Sequence, residues 1–302
     1  MSKYLETSAQ QYGDIFTTQW GSFAPFVIVS NPKAIQELLT ADPKQFDSGS
    51  GNKILQPIVG DNSIALLDGK RHQRQRQLLT PPFHGERMRA YGKLICDITE
   101  QVITQQREGA PFAVRSAMQE ISLQVILNAV FGIHEGERYQ QLKNLLASLL
   151  DVVSSPISSS LLFFKSLQID LGAWSPWGYF LRRQQQIDRL LYAEIEERRG
   201  QTDSSRTDIL SLLMSAKDSQ GQPMTDEELR DELVSLLFAG HETTASAMAW
   251  ALYWIHHLPD VRDKLLQELD TIGGELEPSA IAKLPYLNAV CSETCEFIPL
   301  RC

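Results

Sequence analysis

Thr225-Asp226-Glu227-Glu228, and the apolar run Leu233 to Ile255 that encloses Phe238-Ala239-Gly240-His241-Glu242-Thr243-Thr244-Ala245, decide the fold. Thr225 and Glu228 have capping-box spacing, and acids fill the first turn, where the helix dipole is positive. The pattern predicts a helix from Thr225 to about His257. At 1.5 Å per residue it spans about 45 Å, the width of a domain. Glu242 is the only formal charge between Leu233 and Ile255. A carboxylate at mid-bilayer costs roughly 2.5 to 3.5 kcal/mol, so a helix buried in a soluble core is the better reading than a membrane span.

Inside this helix Gly240 costs about 1 kcal/mol relative to alanine, so beside Ala239 it implies a close approach to the backbone. Thr243, four residues after Ala239, can donate its hydroxyl to the Ala239 carbonyl and bend the helix. Two readings follow: a polar notch in an apolar helix, or a small-residue packing seam with Glu242 paired to a basic residue. His241-Glu242 opens the zinc pattern H-E-x-x-H, but Ala245 stands where the second histidine belongs. His256 and His257 are neighbours pointing in different directions and read as ordinary polar residues. The Gly49-x-Gly51 pair has no phosphate-loop continuation.

Working outward, Gly69-Lys70-Arg71-His72-Gln73-Arg74-Gln75-Arg76 precedes Thr80-Pro81-Pro82-Phe83. His72 and Arg76 share one helical face and can clasp a pair of carboxylates, while Lys70, Arg71 and Arg74 point elsewhere. Alone, such a cluster is more often a solvated face. Phe26 to Val29 predicts a short strand, and Asn31-Pro32 starts a helix to about Thr40. Asp42 to Asp61 reads as mostly loop. From Gly69 onward helical spacing dominates, as at Ile95, Ile98 and Val102 or Ile121, Val125, Leu127 and Val130. Leu142 to Leu150 and Arg182 to Arg199 read as helices. Between them Val152 to Gly178 is a greasy connector, either a loop packed on the core or a ligand-entry lid, and Gly200 to Thr207 is a flexible link. The fold class is mostly α with a small β portion.

The 302 residues, 43% hydrophobic, suffice for a large core. A net charge of -9 argues against a general attraction to nucleic acid or anionic membrane. Cys96, Cys291, Cys295 and Cys302 form no disulfide framework, which suits a reducing, cytoplasmic setting. Met1 to Gln19 lacks a signal-peptide core, and Val152 to Phe164 is too short for a span and broken by Pro156, so no membrane anchor is expected.

Together these stretches resemble the cytochrome P-450 family. Ala239 to Thr244 looks like its oxygen-activation motif, and His72 with Arg76 like its haem-propionate contacts. Tyr12-Gly13-Asp14, Asn31-Pro32 and Leu284-Pro285-Tyr286-Leu287-Asn288-Ala289-Val290 are similar too, so the resemblance covers almost the whole chain. It implies one incomplete P-450 domain over residues 1–302, with haem b as cofactor and iron bound by a cysteine expected beyond residue 302. By resemblance Thr243 and Glu242 help deliver protons during oxygen activation, His72, Arg76, Ala239 and Gly240 contact the haem, and Glu293 is structural. An apolar small molecule, lipid-like or terpenoid, would be hydroxylated using O2. A ferredoxin-like or flavin protein would supply electrons and dock on Lys70, Arg71 and Arg74. The Asp42 to Asp61 loop and the greasy connector would gate the cavity.

Two departures matter. Where the family pattern after Glu293-Thr294 requires Leu-Arg, giving a Glu-x-x-Arg ion pair, this chain has Cys295-Glu296, and it ends at Cys302, with neither cysteine matching the family's ligand loop. Cys-Glu-Phe-Ile-Pro becomes Leu-Arg-Ile-Tyr-Pro if one base is restored, so a frameshift after Thr294 is expected. The rivals are an inactive remnant without thiolate-bound haem, at most a hydrophobic-ligand binder, and an unrelated helical scaffold in which Thr243 and Glu242 are inert.

Overall fold

Thr225 caps the long helix as its spacing predicts: its hydroxyl accepts from the Glu228 N–H at 3.1 Å, and the Glu228 carboxylate accepts from the Thr225 N–H at 2.9 Å. The helix runs Asp226–His257. In the computed structural model the residues described are 2–19, 24–84, 86–154, 156–200, 206–272 and 277–297. The elements in chain order are α1 (Ser2–Tyr12), β1 (Ile15–Thr18), β2 (Phe26–Val29), α2 (Pro32–Thr40), α3 (Ser48–Gly51), α4 (Gln56–Val59), α5 (Gly69–Leu79), α6 (Glu86–Thr104), α7 (Val114–Ala129) and α8 (Glu137–Ser154). They continue as α9 (Pro156–Phe163), α10 (Pro176–Arg199), α11 (Ile209–Ser215), α12 (Asp226–His257), α13 (Pro259–Asp270), α14 (Pro278–Ile281) and α15 (Pro285–Phe297). The mostly α class with a small β portion is observed.

The chain divides into two compact units, Met1–Asp47 and Ser48–Cys302. In the first, β1 and β2 pair antiparallel, with Ile15 opposite Val29 and Thr18 opposite Phe26. Gly13 takes φ +89° to turn α1 into β1. Asn31 caps α2 through Oδ1, which accepts from the Lys33 and Ala34 N–H groups, and Pro32 occupies the first turn.

The second unit is organised around α12 and α7. Leu229, Leu233 and Leu237 of α12 join Leu123, Ile126 and Leu127 of α7, Leu142 and Leu146 of α8, and Ile187, Leu191 and Ile195 of α10 in one buried cluster. Each such side chain contributes about 1.5–3 kcal/mol by leaving water. A smaller cluster joins Ile98 and Val102 of α6, Ala117, Met118 and Ile121 of α7 and Ala245 of α12. Ile95, read with that stripe, is instead exposed.

Several sequence expectations change here. Residues 42–61 are not simply loop: Pro43–Gln45 and Lys53–Leu55 form 3-10 turns beside α3 and α4. Asp68 organises the start of α3, accepting from the Gly49 and Ser50 N–H groups at 2.8 and 3.1 Å. A Cβ on Gly49 would fall 2.4 Å from the Leu66 carbonyl oxygen, so a close backbone contact explains this glycine. The connector contains α9, and α10 begins at Pro176, before Arg182, because Ser175 caps it by accepting from the Gly178 N–H. The connector is nevertheless greasy and exposed, with Phe163, Phe164, Leu167, Ile169, Leu171 and Trp174 all at the surface. Residues 201–205 of the Gly200 to Thr207 link lie outside the described residues, as does Cys302.

Candidate functional site

The middle of α12 has different partners on different sides. Thr243 Oγ1 donates to the Ala239 carbonyl at 2.5 Å, and Ala239 and Thr244 are exposed while Thr243 is half-buried. This is the notch the four-residue spacing implies. Gly240 faces α7, where an added Cβ would meet Ile126 Cδ1 at 3.4 Å. Ser122 Oγ of α7 reaches the carbonyls of Gly240 and His241 at 3.3 and 3.2 Å. Glu242 is held from α7 by Arg115 Nη2 at 2.7 Å and Gln119 Nε2 at 2.7 Å. Notch and packing seam thus coexist, and the close approach to Gly240 is made by α7.

His72 and Arg76 lie one turn apart on α5, the first half-buried and the second exposed. Among the described residues neither side chain has a hydrogen-bond or ion-pair partner. Arg74 is different. Its Nε meets Asp218 Oδ2 at 2.7 Å, its Nη1 meets Glu228 Oε1 at 2.7 Å, and its Nη2 donates to the Pro223 carbonyl at 3.1 Å. Hydrogen bonding to Asp218 raises the Arg74 pKa against the opposing effect of its own desolvation, and the same bond lowers that of Asp218. Reading Arg74 as a free docking charge is therefore wrong: acceptors distant in sequence neutralise it. Arg71 also donates, to Asn62 Oδ1 at 3.1 Å.

The haem implied by the resemblance can be tested against these side chains. A half-buried imidazole and an exposed guanidinium on one face, with no protein acceptor among the described residues, fit the two carboxylates of haem b. The small, exposed Ala239 beside Thr243 fits a flat apolar ring packed on α12. No group of three or more potential ligands suited to a metal ion occurs among the described residues. His256 Nδ1 bonds the Leu252 carbonyl and His257 stacks on Tyr253, as ordinary polar residues do. Cys96, Cys291 and Cys295 are free thiols. On α15 Glu293 is exposed and has no partner among the described residues, whereas the N–H groups of Tyr286 and Leu287 at the helix start donate to Glu268 at 2.7 and 2.8 Å.

Sequence reasoning missed the polar lattice at the amino end of α12. Asp231 Oδ2 accepts from the Asn62 N–H at 2.9 Å, Glu232 Oε1 from the Ile64 N–H at 2.8 Å, and Ser235 and Ser63 share a 2.7 Å bond. Gly60 has φ +83°, and a Cβ there would lie 2.0 Å from Asp231 Oδ1. Glu232 is fully buried, and burial pushes its pKa up to about 8. Partners 168 and 169 residues away leave no local signal.

The cytochrome P450 family profile matches residues 1–300. Cytochrome P450 135A1 of Mycobacterium tuberculosis is 34% identical over 281 residues, 90% of this chain and 59% of the relative. Cytochrome P450 135B1 of Mycobacterium bovis is 34% identical over 299 residues, 99% of this chain and 61% of the relative. The structure of retinoic acid-bound cyanobacterial CYP120A1 superposes with a TM-score of 0.80 at 23% identity, covering 97% of this chain and 64% of that one. The chain spans about three fifths of the length of these curated relatives. A long capped helix with the Ala239–Thr243 notch, a helix with paired His72 and Arg76, and a profile matched almost end to end converge: this chain belongs to the cytochrome P450 family.

Proposed function

We propose that the family fold to which this chain contributes is a haem-dependent monooxygenase acting on an apolar small molecule, lipid-like or terpenoid. Haem b, when bound, supplies oxygen activation at its iron, using O2 and two electrons from a ferredoxin-like or flavin donor. The residues here do the rest. His72 and Arg76 bind the cofactor's carboxylates. Thr243 holds a proton at Oγ1, which it can turn from the Ala239 carbonyl toward oxygen in the notch. Glu242 resupplies that proton only after rotating away from Arg115 and Gln119. The single observation that carries this reading is the Thr243–Ala239 bond on the exposed side of α12.

The exposed apolar connector supports an apolar substrate, as does retinoic acid in the CYP120A1 structure. The free cysteines favour a cytoplasmic setting, and no helix among the described residues is long and apolar enough to cross a membrane. Lys70 and Arg71, the latter bonded among the described residues only to the neutral Asn62, remain as docking charges for an electron donor. The test is Thr243→Ala in the haem-loaded protein: product formation should fall by about 100-fold or more, the scale of a lost proton donor, while electron consumption persists. Unchanged coupling of electrons to product rejects the assignment.

A second reading, a remnant without thiolate-bound haem, is favoured by Glu296 standing where an arginine would pair with Glu293. Resequencing codons 293 to 302 and the bases beyond decides it: a restored Leu-Arg frame rejects the remnant, and a confirmed deletion supports it.

A further inference from the structure

The basic side chains of α5 face two opposite ways. At about 100° per residue, His72 and Arg76 stand about 40° apart around the helix, and Arg74 lies about 180° from the line midway between them. The partners follow that division. His72 and Arg76 have none among the described residues, whereas Arg74 bonds Asp218 and Glu228, each at 2.7 Å, and the Pro223 carbonyl at 3.1 Å. All three acceptors lie more than a hundred residues away in the chain.

Each carboxylate has a second commitment that fixes it in place. Asp218 Oδ1 accepts from the N–H groups of Gln220 and Gln222 at 2.9 Å, inside a turn closed by the bridge between Lys217 and Pro223. Glu228 Oε2 accepts from the Thr225 N–H, so the acid that caps α12 also holds α5. The two carboxylate side chains are only 8% and 18% exposed, which limits competition from water. A rigid guanidinium fork set against three fixed acceptors constrains angle as well as position. Leu78 and Leu79 anchor the carboxyl end of α5 in the apolar cluster, but apolar burial is non-directional, and near the other end Arg71 has a single bond to Asn62. Arg74, between them, is the fastening that opposes rotation of the face bearing His72 and Arg76.

We propose that Arg74 is a positioning residue for the cofactor's carboxylates: its clasp on Asp218, Glu228 and Pro223 sets the angle at which α5 presents His72 and Arg76. The inference rests on the reading of those two side chains as haem-carboxylate contacts. It also gives α12 a second part in the site. The helix that carries the Thr243 notch carries, through Glu228, the anchor of the carboxylate contacts, so one frame holds both. A residue that merely stabilised the fold would affect every ligand of the cavity alike, whereas one that aims His72 and Arg76 affects only a ligand bearing carboxylates.

The experiment is equilibrium titration of the full chain with hemin and with hemin dimethyl ester, the same ring without ionised carboxylates, read by Soret absorption alongside circular dichroism. The wild type should prefer hemin, and replacing His72 and Arg76 together by alanine should remove the preference. Arg74→Met should weaken hemin by about tenfold, the scale on which groups behind a binding residue act, and leave the ester unchanged. Arg74→Lys, which keeps the charge but not the fork, should fall between. Asp218→Asn leaves α5 unaltered and should move hemin affinity in the same direction, so it carries the test if Arg74→Met unfolds. Arg199→Met breaks a pair with Asp226 at the same end of α12 and should change neither ligand. Unchanged hemin affinity in the Arg74 and Asp218 variants, equal weakening of hemin and ester, or an equal effect of Arg199→Met overturns the positioning role. A wild type that binds neither ligand, or both alike, instead removes the haem reading of His72 and Arg76 and this inference with it.

Discussion

Replacing Arg198 tests how the core tolerates charge. Its side chain is 4% exposed and bonds Glu194 Oε1 at 2.7 Å, Asp208 Oδ1 at 2.5 Å and the Phe131 carbonyl. Arg198→Met leaves Asp208, 8% exposed, without a cationic partner while Glu194 keeps Arg138, and should cost about 3–5 kcal/mol in urea unfolding. Glu232 predicts a pH effect. Its folded pKa of about 8 lies above the ordinary 4.5, so between those values the folded chain keeps a proton that the unfolded chain has lost. The associated stability is complete below about pH 4.5 and is lost as pH rises to about 8, at up to about 1.4 kcal/mol per pH unit. Glu232→Gln should remove that slope, seen as a stability difference from wild type that grows from pH 5 to pH 8. Neither group was legible beforehand: Arg198 reads as one charge among many on a polar helix, and its partners lie across turns that periodicity does not encode.

At the scale of the element, α12 was the most legible part because its cap, its length and its apolar run all agree. Thr225→Ala should cost about 1 kcal/mol of stability, the worth of a side-chain N-cap. Gly240→Ala is the sharper case. The glycine implied a close approach to the backbone, and its absent Cβ faces Ile126 at ordinary contact distance. Alanine there should shift the unfolding free energy by less than about 1 kcal/mol, with helix propensity offsetting the tighter seam, as calorimetry would show. The seam itself lay beyond the sequence, since Arg115, Gln119 and Ser122 form a stripe on α7 whose purpose appears only once α12 lies against it. Gly49 carried no signal in the sequence for the same reason, its neighbour being the backbone at Leu66.

Across the whole molecule, stability should be uneven. Among the described residues the sheet has two strands, with Ile15, Phe26 and Val27 exposed, whereas α7 and α12 are lined by side chains shut off from water. Amides in β1 and β2 should therefore exchange with deuterium at least about 100-fold faster than those of Leu229 to Leu237, a gap of about 3 kcal/mol in opening free energy. The sequence foretold the proportion of helix because apolar spacing is local; it concealed how distant stretches are fastened together. That fastening bears on how the protein is made. The N–H groups of Asn62 and Ile64 find their acceptors 169 and 168 residues later. At 5–20 residues per second, a ribosome takes roughly 8 to 34 s to deliver Asp231 and Glu232 after Asn62 has emerged. For that interval these two N–H groups have no native acceptor, and a chaperone that shields the segment should raise the yield of folded chain more than one acting after release.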